Sequence, residues 1–202
     1  MLKVGLTGGL ASGKSFVGAC LQELGAHVIQ ADRLGHEALE VDGEAYPLVV
    51  EKFGDEILLA GGEIDRKALG AIVFPAPEKL EALNAIIHPI VWRRQQEFFS
   101  EVEEKDPHAV AVVEAAILIE TGAYKRYQRL VVAACPPEVQ VARFRAREGA
   151  TEEQARARMD RQMPLEEKLP FADYVIDTSG SKDETRGRAA EVYAKLRAEA
   201  EA

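Results

Sequence analysis

A glycine-rich stretch near the N-terminus carries the clearest chemical signal in the sequence. Residues 8–15 read GGLASGKS and match the pattern G-x-x-x-x-G-K-[ST] at every fixed position. The apolar run Leu2 to Leu6 precedes them and apolar residues at helical spacing follow, which is the strand–loop–helix context of a phosphate-binding loop. Such a backbone wraps an anion, and the helix N-terminus adds partial positive charge. We expect this loop to bind a nucleoside triphosphate.

The end of the loop supplies two side chains with distinct tasks. Lys14 can reach the outer phosphates, and the hydroxyl of Ser15 can ligate the Mg²⁺ that accompanies them. We therefore expect ATP and Mg²⁺ as cofactors, with Ser15 as the metal ligand. The predicted ATP-binding residues are Gly8, Ala11, Ser12, Gly13, Lys14, Ser15 and Phe16.

Asp32 is a second residue that could do chemistry. It follows the short β-rich segment 27–30, and ligands of parallel α/β sheets bind beyond the carboxyl ends of the strands. A carboxylate at this position could accept a proton from a substrate hydroxyl or hold Mg²⁺. The alternative is an aspartate that forms a turn or caps a helix.

Arginines are concentrated in two predicted helices near residues 139–161. These arginines are Arg143, Arg145, Arg147, Arg156, Arg158 and Arg161. Two short arginine-bearing helices between strands suit a lid that closes over the transferring phosphates, neutralises charge and excludes water. A solvated helical hairpin with Glu/Arg pairs is the alternative.

The elements that must position these residues alternate between strands and helices. Predicted strands cover residues 2–6, 27–30, 109–119, 129–134 and 173–177. The long apolar runs of the third and fourth favour parallel strands buried on both faces. Residues 34–105 are mostly helical, with a helix break expected at His88–Pro89, and are too long for a simple crossover. The pattern predicts an α/β fold with a central parallel sheet and a helical insertion.

Composition excludes several classes of protein. The chain has 202 residues, is 47% hydrophobic and carries a net charge of −9, so a general nucleic-acid-binding surface is not expected. Cys20 and Cys135 are expected to be buried thiols in a reducing compartment. The first strand begins at once and no apolar run approaches 18 residues, so we expect no signal peptide, no membrane span and a cytoplasmic location.

An ordered series of short motifs resembles the dephospho-coenzyme A kinase family over nearly the whole chain. The matching residues are 5–9 with 12–15, Ala31-Asp32, Leu83-Asn84, Ile87-His88-Pro89, Leu118-Ile119-Glu120, Gln140, Arg143, Arg147, Arg158, Gln162 and 172–176. The resemblance implies that ATP phosphorylates the ribose 3′-hydroxyl of dephospho-CoA, the last step of coenzyme A biosynthesis. It also implies that Asp32 is catalytic and that Arg143 and Arg147 face the phosphates.

The same resemblance implies a P-loop NTPase three-layer fold in three parts. Residues 1–33, 106–137 and 170–202 would form the nucleotide-binding core, residues 34–105 the helical CoA domain, and residues 138–169 the lid. The expected partner is the small molecule dephospho-CoA, with no nucleic acid or membrane, and the expected state is a monomer or small homo-oligomer.

The sequence departs from the family pattern at four places. Gln30 replaces the first carboxylate of Asp-Ala-Asp, which leaves Asp32 as the only expected acid there. His36 stands where a basic residue, often Arg, is common, and Phe16 stands where the loop commonly ends in Thr. Ala116 replaces the proline of Pro-Leu-Leu, so a rigid turn is expected to be lost.

Other function classes remain open from the residues alone. The absence of Asn-Lys-x-Asp argues against guanine recognition of the GTPase kind. Another small-molecule kinase, acting on a nucleoside or a nucleoside monophosphate, shares the same loop. A nucleotide-dependent switch whose helical insertion binds a protein would share it too, but would show slow hydrolysis independent of an acceptor.

Overall fold

The computed structural model describes residues 1–202 and contains one five-stranded parallel sheet. Its strands are Leu2–Gly8 (β1), His27–Gln30 (β2), Val110–Glu114 (β3), Arg129–Ala134 (β4) and Tyr174–Asp177 (β5). The strand order is β2-β3-β1-β4-β5, so β1 is central and β3 is interior. Strands β1, β3 and β4 are almost wholly buried, as their continuous apolar runs predict.

Nine α-helices connect or flank the strands. They are Lys14–Glu23 (α1), Ala31–Ala38 (α2), Tyr46–Phe53 (α3), Arg66–Val73 (α4), Pro77–Lys105 (α5), Pro137–Glu148 (α6), Glu152–Met159 (α7), Leu165–Lys168 (α8) and Lys182–Glu201 (α9). Thr151 begins α7 with a reciprocal capping box to Gln154, which satisfies backbone groups that the helix leaves unpaired. None of the helices is long and apolar enough to span a membrane.

The chain forms two compact units. Residues Met1–Gln30 and Phe99–Ala202 make the first, and Ala31–Phe98 make the second. In the first unit, α1 and α9 pack against one sheet face, where Leu6, Leu21 and Leu196 are completely buried. Burying each such side chain stabilises the fold by about 1.5–3 kcal/mol. The predicted sheet flanked by helices is confirmed.

The second unit is helical and has its own apolar core. Val49, Ile57 and Val73 are almost completely buried in this cluster, together with residues of α2 and α5. The unit begins before residue 34 and ends before residue 105, the limits expected for the helical insertion.

Two local predictions are wrong. The helix break expected at His88–Pro89 does not occur, because α5 runs without interruption from Pro77 to Lys105. Proline removes one backbone hydrogen bond, but Ile86, Ile87 and Ile90 on both sides of it pack against the apolar cluster and hold the helix together. The third strand ends at Glu114 rather than Ile119. The carbonyl of Ala116 accepts hydrogen bonds from Thr7 Oγ1 and Lys168 Nζ, outside the sheet ladder.

Candidate active site

The loop between β1 and α1 has the backbone that anion binding requires. Gly13 has φ of 83° and Ala11 has φ of 51°, both in the left-handed region that favours glycine. A Cβ atom at Gly8 would lie 2.6 Å from the carbonyl oxygen of Ala133, so no larger residue fits there. Lys14 is the first residue of α1. The loop therefore runs directly into a helix N-terminus, where backbone N–H groups of the first turn can face a phosphate.

Lys14 and Ser15 converge on one buried carboxylate. Lys14 Nζ lies 2.6 Å from Glu114 Oε1, and Ser15 Oγ donates a hydrogen bond of 2.5 Å to the same oxygen. The side chain of Glu114 is 2% exposed, and its Oε2 atom has no hydrogen-bond partner. A buried ion must be paired, and Lys14 supplies the counter-charge.

Glu114 is a candidate functional residue that lies outside the set predicted from the sequence. It ends β3, where the register places it beside Leu6 of β1 and Gln30 of β2. Asp32 was expected to be the only acid near the end of β2, but the sheet places the carboxylate of Glu114 directly across from Gln30. An acidic residue that ends a fully apolar run, Val110 to Val113, was the available sequence signal.

Asp32 lies in the first turn of α2, two residues after the end of β2, and is exposed. It therefore belongs to the second unit, whereas the phosphate loop belongs to the first. One helical turn later, His36 Nε2 lies 2.6 Å from Nη2 of Arg66, which makes the imidazole nitrogen the acceptor. Burial and the nearby Arg66 charge lower the pKa of His36, while Asp32 opposes that shift. A neutral histidine thus stands where the family commonly has a fixed cation.

The arginine-bearing helices pack against the tip of the phosphate loop. Phe144 of α6 is 5% exposed and lies in an apolar cluster with Ala155 of α7 and with Leu10 and Ala11 of the loop. The guanidinium carbons of Arg147 and Arg158 lie 5.9 and 5.8 Å from the centre of the Phe144 ring. Cations over an aromatic ring are attracted by its quadrupole. The fold therefore brings two arginines from different helices to one ring beside the loop.

Arg143 has different surroundings from Arg147. Its Nη2 atom donates to the carbonyl of Thr178 at 2.6 Å, and Thr178 Oγ1 donates to the carbonyl of Ser12 at 2.6 Å. Arg143 thus supports the phosphate loop from the β5 side. Its Nη1 atom also lies 3.8 Å from Cys135 Sγ, and burial raises the pKa of that thiol. Cys135 and Cys20 are both free and buried, as expected.

Phe16 is part of the packing around α1. Its ring is partly buried against the sheet core, and the cationic groups of Lys182 and Arg186 lie 5.6 and 5.3 Å from the ring centre. Both cations come from α9. Phe16 and Ala11 are the two predicted ATP-binding residues whose apolar side chains already pack against another element.

The family model for dephospho-CoA kinase matches residues 2–184. The chain belongs to the dephospho-CoA kinase family. It is 41% identical over 196 residues to a dephospho-CoA kinase of Thermobifida fusca, a match that covers 97% of this chain and 96% of the relative. The resemblance seen in the motifs is confirmed.

Solved structures agree with the assignment to dephospho-CoA kinases. The crystal structure of TT1252 from Thermus thermophilus superposes with a TM-score of 0.84 at 36% identity, covering 96% of this chain and 97% of that one. A dephospho-CoA kinase from Campylobacter jejuni gives a TM-score of 0.71 at 28% identity, with 98% of each chain covered. The predicted P-loop kinase fold is confirmed.

Proposed function

We propose that this kinase transfers the γ-phosphoryl group of ATP to the ribose 3′-hydroxyl of dephospho-CoA and so completes coenzyme A. The observation that carries the proposal is the convergence of Lys14 and Ser15 on Glu114 at the phosphate loop, within a chain that matches the family from residue 2 to 184. Phosphoryl transfer demands mainly positioning and electrostatic stabilisation, and these residues supply both.

The loop residues would bind ATP through backbone N–H groups, as the left-handed conformations of Ala11 and Gly13 allow. Lys14 would leave Glu114 and contact the outer phosphates, where its charge offsets the negative charge of the transferring group. Arg143 would hold the loop in shape through Thr178.

The donor set at this site suits Mg²⁺. Ser15 Oγ and Glu114 Oε1 lie 2.5 Å apart, and the second carboxylate oxygen has no partner. Mg²⁺ prefers oxygen ligands and commonly takes only one or two protein groups, with phosphates and water completing the shell. Ser15 and Glu114 would therefore hold the ion, which would neutralise phosphate charge when bound.

Asp32 would act on the acceptor. An exposed carboxylate just after the carboxyl end of β2 can orient the 3′-hydroxyl and accept its proton. Arg147 and Arg158, placed over Phe144 beside the loop tip, would close on the transferring phosphoryl group and exclude water.

We also propose that the enzyme works in the cytoplasm, as a monomer or small homo-oligomer, without a nucleic-acid partner. The net charge of −9 supports the last point because it opposes binding to a polyanion.

The product of the reaction tests the proposal directly. Wild-type enzyme given Mg-ATP and dephospho-CoA should yield one product, which phosphorus NMR identifies as phosphorylated on the ribose 3′-oxygen. Coupled ADP-release assays with AMP and with nucleosides as acceptors should give much lower kcat/KM. Preferred use of AMP or a nucleoside would favour another small-molecule kinase. ADP release at the same slow rate with and without any acceptor would indicate a nucleotide switch.

A further inference from the structure

Lys168 of α8 is a lysine with no exposed surface. Its Nζ atom lies 2.7 Å from Glu120 Oε1 and donates to the carbonyl of Ala116 at 3.2 Å. A buried ion pair is commonly no more stabilising than apolar residues of the same volume, because both charges lose their hydration. The burial of this charge therefore calls for a role other than stability alone.

The partners of the pair connect three segments around the site. Glu120 Oε1 also accepts a hydrogen bond from the backbone N–H of Met163, which lies between α7 and α8. The carbonyl of Ala116 also accepts from Thr7 Oγ1, and Thr7 is the next-to-last residue of β1 before the phosphate loop. The buried pair thus joins the chain that returns from the arginine-bearing helices to the strand that leads into the loop.

Helix α7 is held at two places within this arrangement. Ala155 and Met159 pack in the Phe144 cluster near Leu10 and Ala11. Beyond α7, the contact between Met163 and Glu120 fixes the chain five residues after Arg158. Without the hydrogen bond between Met163 and Glu120, only packing would hold α7 at that end. The guanidinium of Arg158 would then no longer be held in place beside the loop.

We infer that Lys168 and Glu120 are positioning residues, which set the placement of Arg158 over the transferring phosphoryl group. The inference rests on the proposed function of the arginine-bearing helices as a lid. We do not propose that Lys168 or Glu120 contacts a substrate. Their effect passes through Met163 and α7. The other carboxylate oxygen of Glu120, Oε2, is buried and has no hydrogen-bond partner.

The test compares kcat in four enzymes: wild type, Lys168→Met, Arg158→Ala and the double variant. Misplacement of a catalytic group by about 1 Å can cost 100-fold, so we expect Lys168→Met to lower kcat by about 10- to 100-fold with a smaller change in the KM for ATP. In the Arg158→Ala background the same substitution should change kcat by less than about 3-fold. If the two residues acted independently, their effects on kcat would multiply instead.

Stability is measured separately because Lys168→Met leaves Glu120 without its counter-charge. The urea midpoint of each variant is recorded, and Glu120→Gln with Lys168→Met in one chain provides a neutral pair that should fold even where Lys168→Met does not. We expect the variant that combines Glu120→Gln with Lys168→Met to regain the urea midpoint but not the full kcat, because a neutral amide oxygen accepts more weakly from the N–H of Met163 than a carboxylate does. In saturating ATP, backbone amides of residues 149–163 should exchange their hydrogens faster in Lys168→Met than in wild type. The control is Glu152→Gln, which neutralises an exposed carboxylate on α7 and should leave kcat unchanged.

Each negative result shows which proposal has failed, the lid role of the arginine-bearing helices or the positioning role of Lys168 and Glu120. If Arg158→Ala leaves kcat unchanged, the lid role in the proposed function is wrong. If Arg158→Ala lowers kcat but the effects of Lys168→Met and Arg158→Ala multiply, the pair does not act through Arg158 and the inference is overturned. Full recovery of kcat in the neutral pair would also overturn it, because the role would then be stability alone.

Discussion

Lys14 and Glu114 are 100 residues apart in the sequence, yet Nζ of the lysine lies 2.6 Å from Oε1 of the glutamate. The lysine comes from the first turn of α1 and the glutamate from the end of β3. In this arrangement the residue that should contact ATP phosphates is held by the residue that should help to hold Mg²⁺. On the proposed mechanism, nucleotide binding would draw Lys14 away from Glu114.

Glu114→Gln should separate the effects of ATP and Mg²⁺. Without the carboxylate charge, Lys14 is released and the site is less negative, so we expect ATP alone to bind at least as tightly as to wild type. The increase in ATP affinity that Mg²⁺ produces in wild type should be largely lost in Glu114→Gln, and kcat should fall. Isothermal titration of ATP with and without Mg²⁺ measures the difference.

The control for Glu114 is Glu114→Asp, which keeps the charge and should keep part of the Mg²⁺ effect. The free energy of unfolding of Glu114→Gln should fall by about 1–3 kcal/mol, because hydrogen bonds to a charged group are weakened. An undiminished Mg²⁺ effect in Glu114→Gln would show that this carboxylate does not serve the metal.

Asp32→Asn should lower kcat by about 10²–10⁴-fold, the usual range for a positioned acid or base. The substitution keeps shape and hydrogen-bonding reach but removes charge and basicity. Mg-ATP affinity should change little, since the loop, Lys14 and Ser15 are intact. Steady-state kinetics with dephospho-CoA and direct titration of Mg-ATP provide the two readouts.

Asp42→Asn is the matched control for Asp32, because Asp42 is another exposed aspartate of the same unit. It should retain wild-type kcat. A large loss of Mg²⁺ affinity in Asp32→Asn would instead identify Asp32 as a metal ligand.

Arg147 and Arg143 should respond differently to replacement by alanine. Arg147 is exposed and lies over Phe144, so Arg147→Ala should lower kcat more than it raises the KM for ATP. Arg143 holds Thr178, which in turn holds Ser12, so Arg143→Ala should raise the KM for ATP as well. Arg145→Ala, from the exposed side of the same helix, should have little effect on either constant. If only the unfolding midpoint changes in Arg147→Ala, the arginine belongs to a surface ion pair with Glu148.

His36 should make the second unit sensitive to mild acid. Burial and Arg66 lower its pKa in the folded protein, so the unfolded chain binds the proton more tightly. The neutral histidine therefore contributes fully above the unfolded pKa of about 6.5, and that contribution is lost as the pH falls below this value. Urea unfolding followed by fluorescence of Trp92, the one tryptophan, measures the effect between pH 8 and 5.5.

His36→Gln should flatten that pH dependence, because glutamine does not titrate and can still accept from Arg66. His27→Gln is the control, since His27 is exposed at the start of β2. An equally steep loss of stability in His36→Gln would mean that other groups titrate in this range.

The sequence by itself determined the features that depend on neighbouring residues. The phosphate loop and the existence of five strands follow from contiguous patterns, because backbone conformation is set mainly within a few residues. The family was also evident from the order of short motifs. Pro89 misled the prediction because local proline chemistry was outweighed by packing of the isoleucines around it.

Only the tertiary structure decided which distant side chains meet. Glu114 reaches Lys14 because the parallel register pairs it with Leu6, and a slip of one residue in β3 would turn its side chain to the opposite face. The grouping of Arg147 and Arg158 over Phe144 depends on how two helices pack. The burial of Lys168 against Glu120 depends on a chain segment that lies far from Glu120 in the sequence. Sequence spacing does not encode such pairs, because register and helix packing are properties of the assembled core.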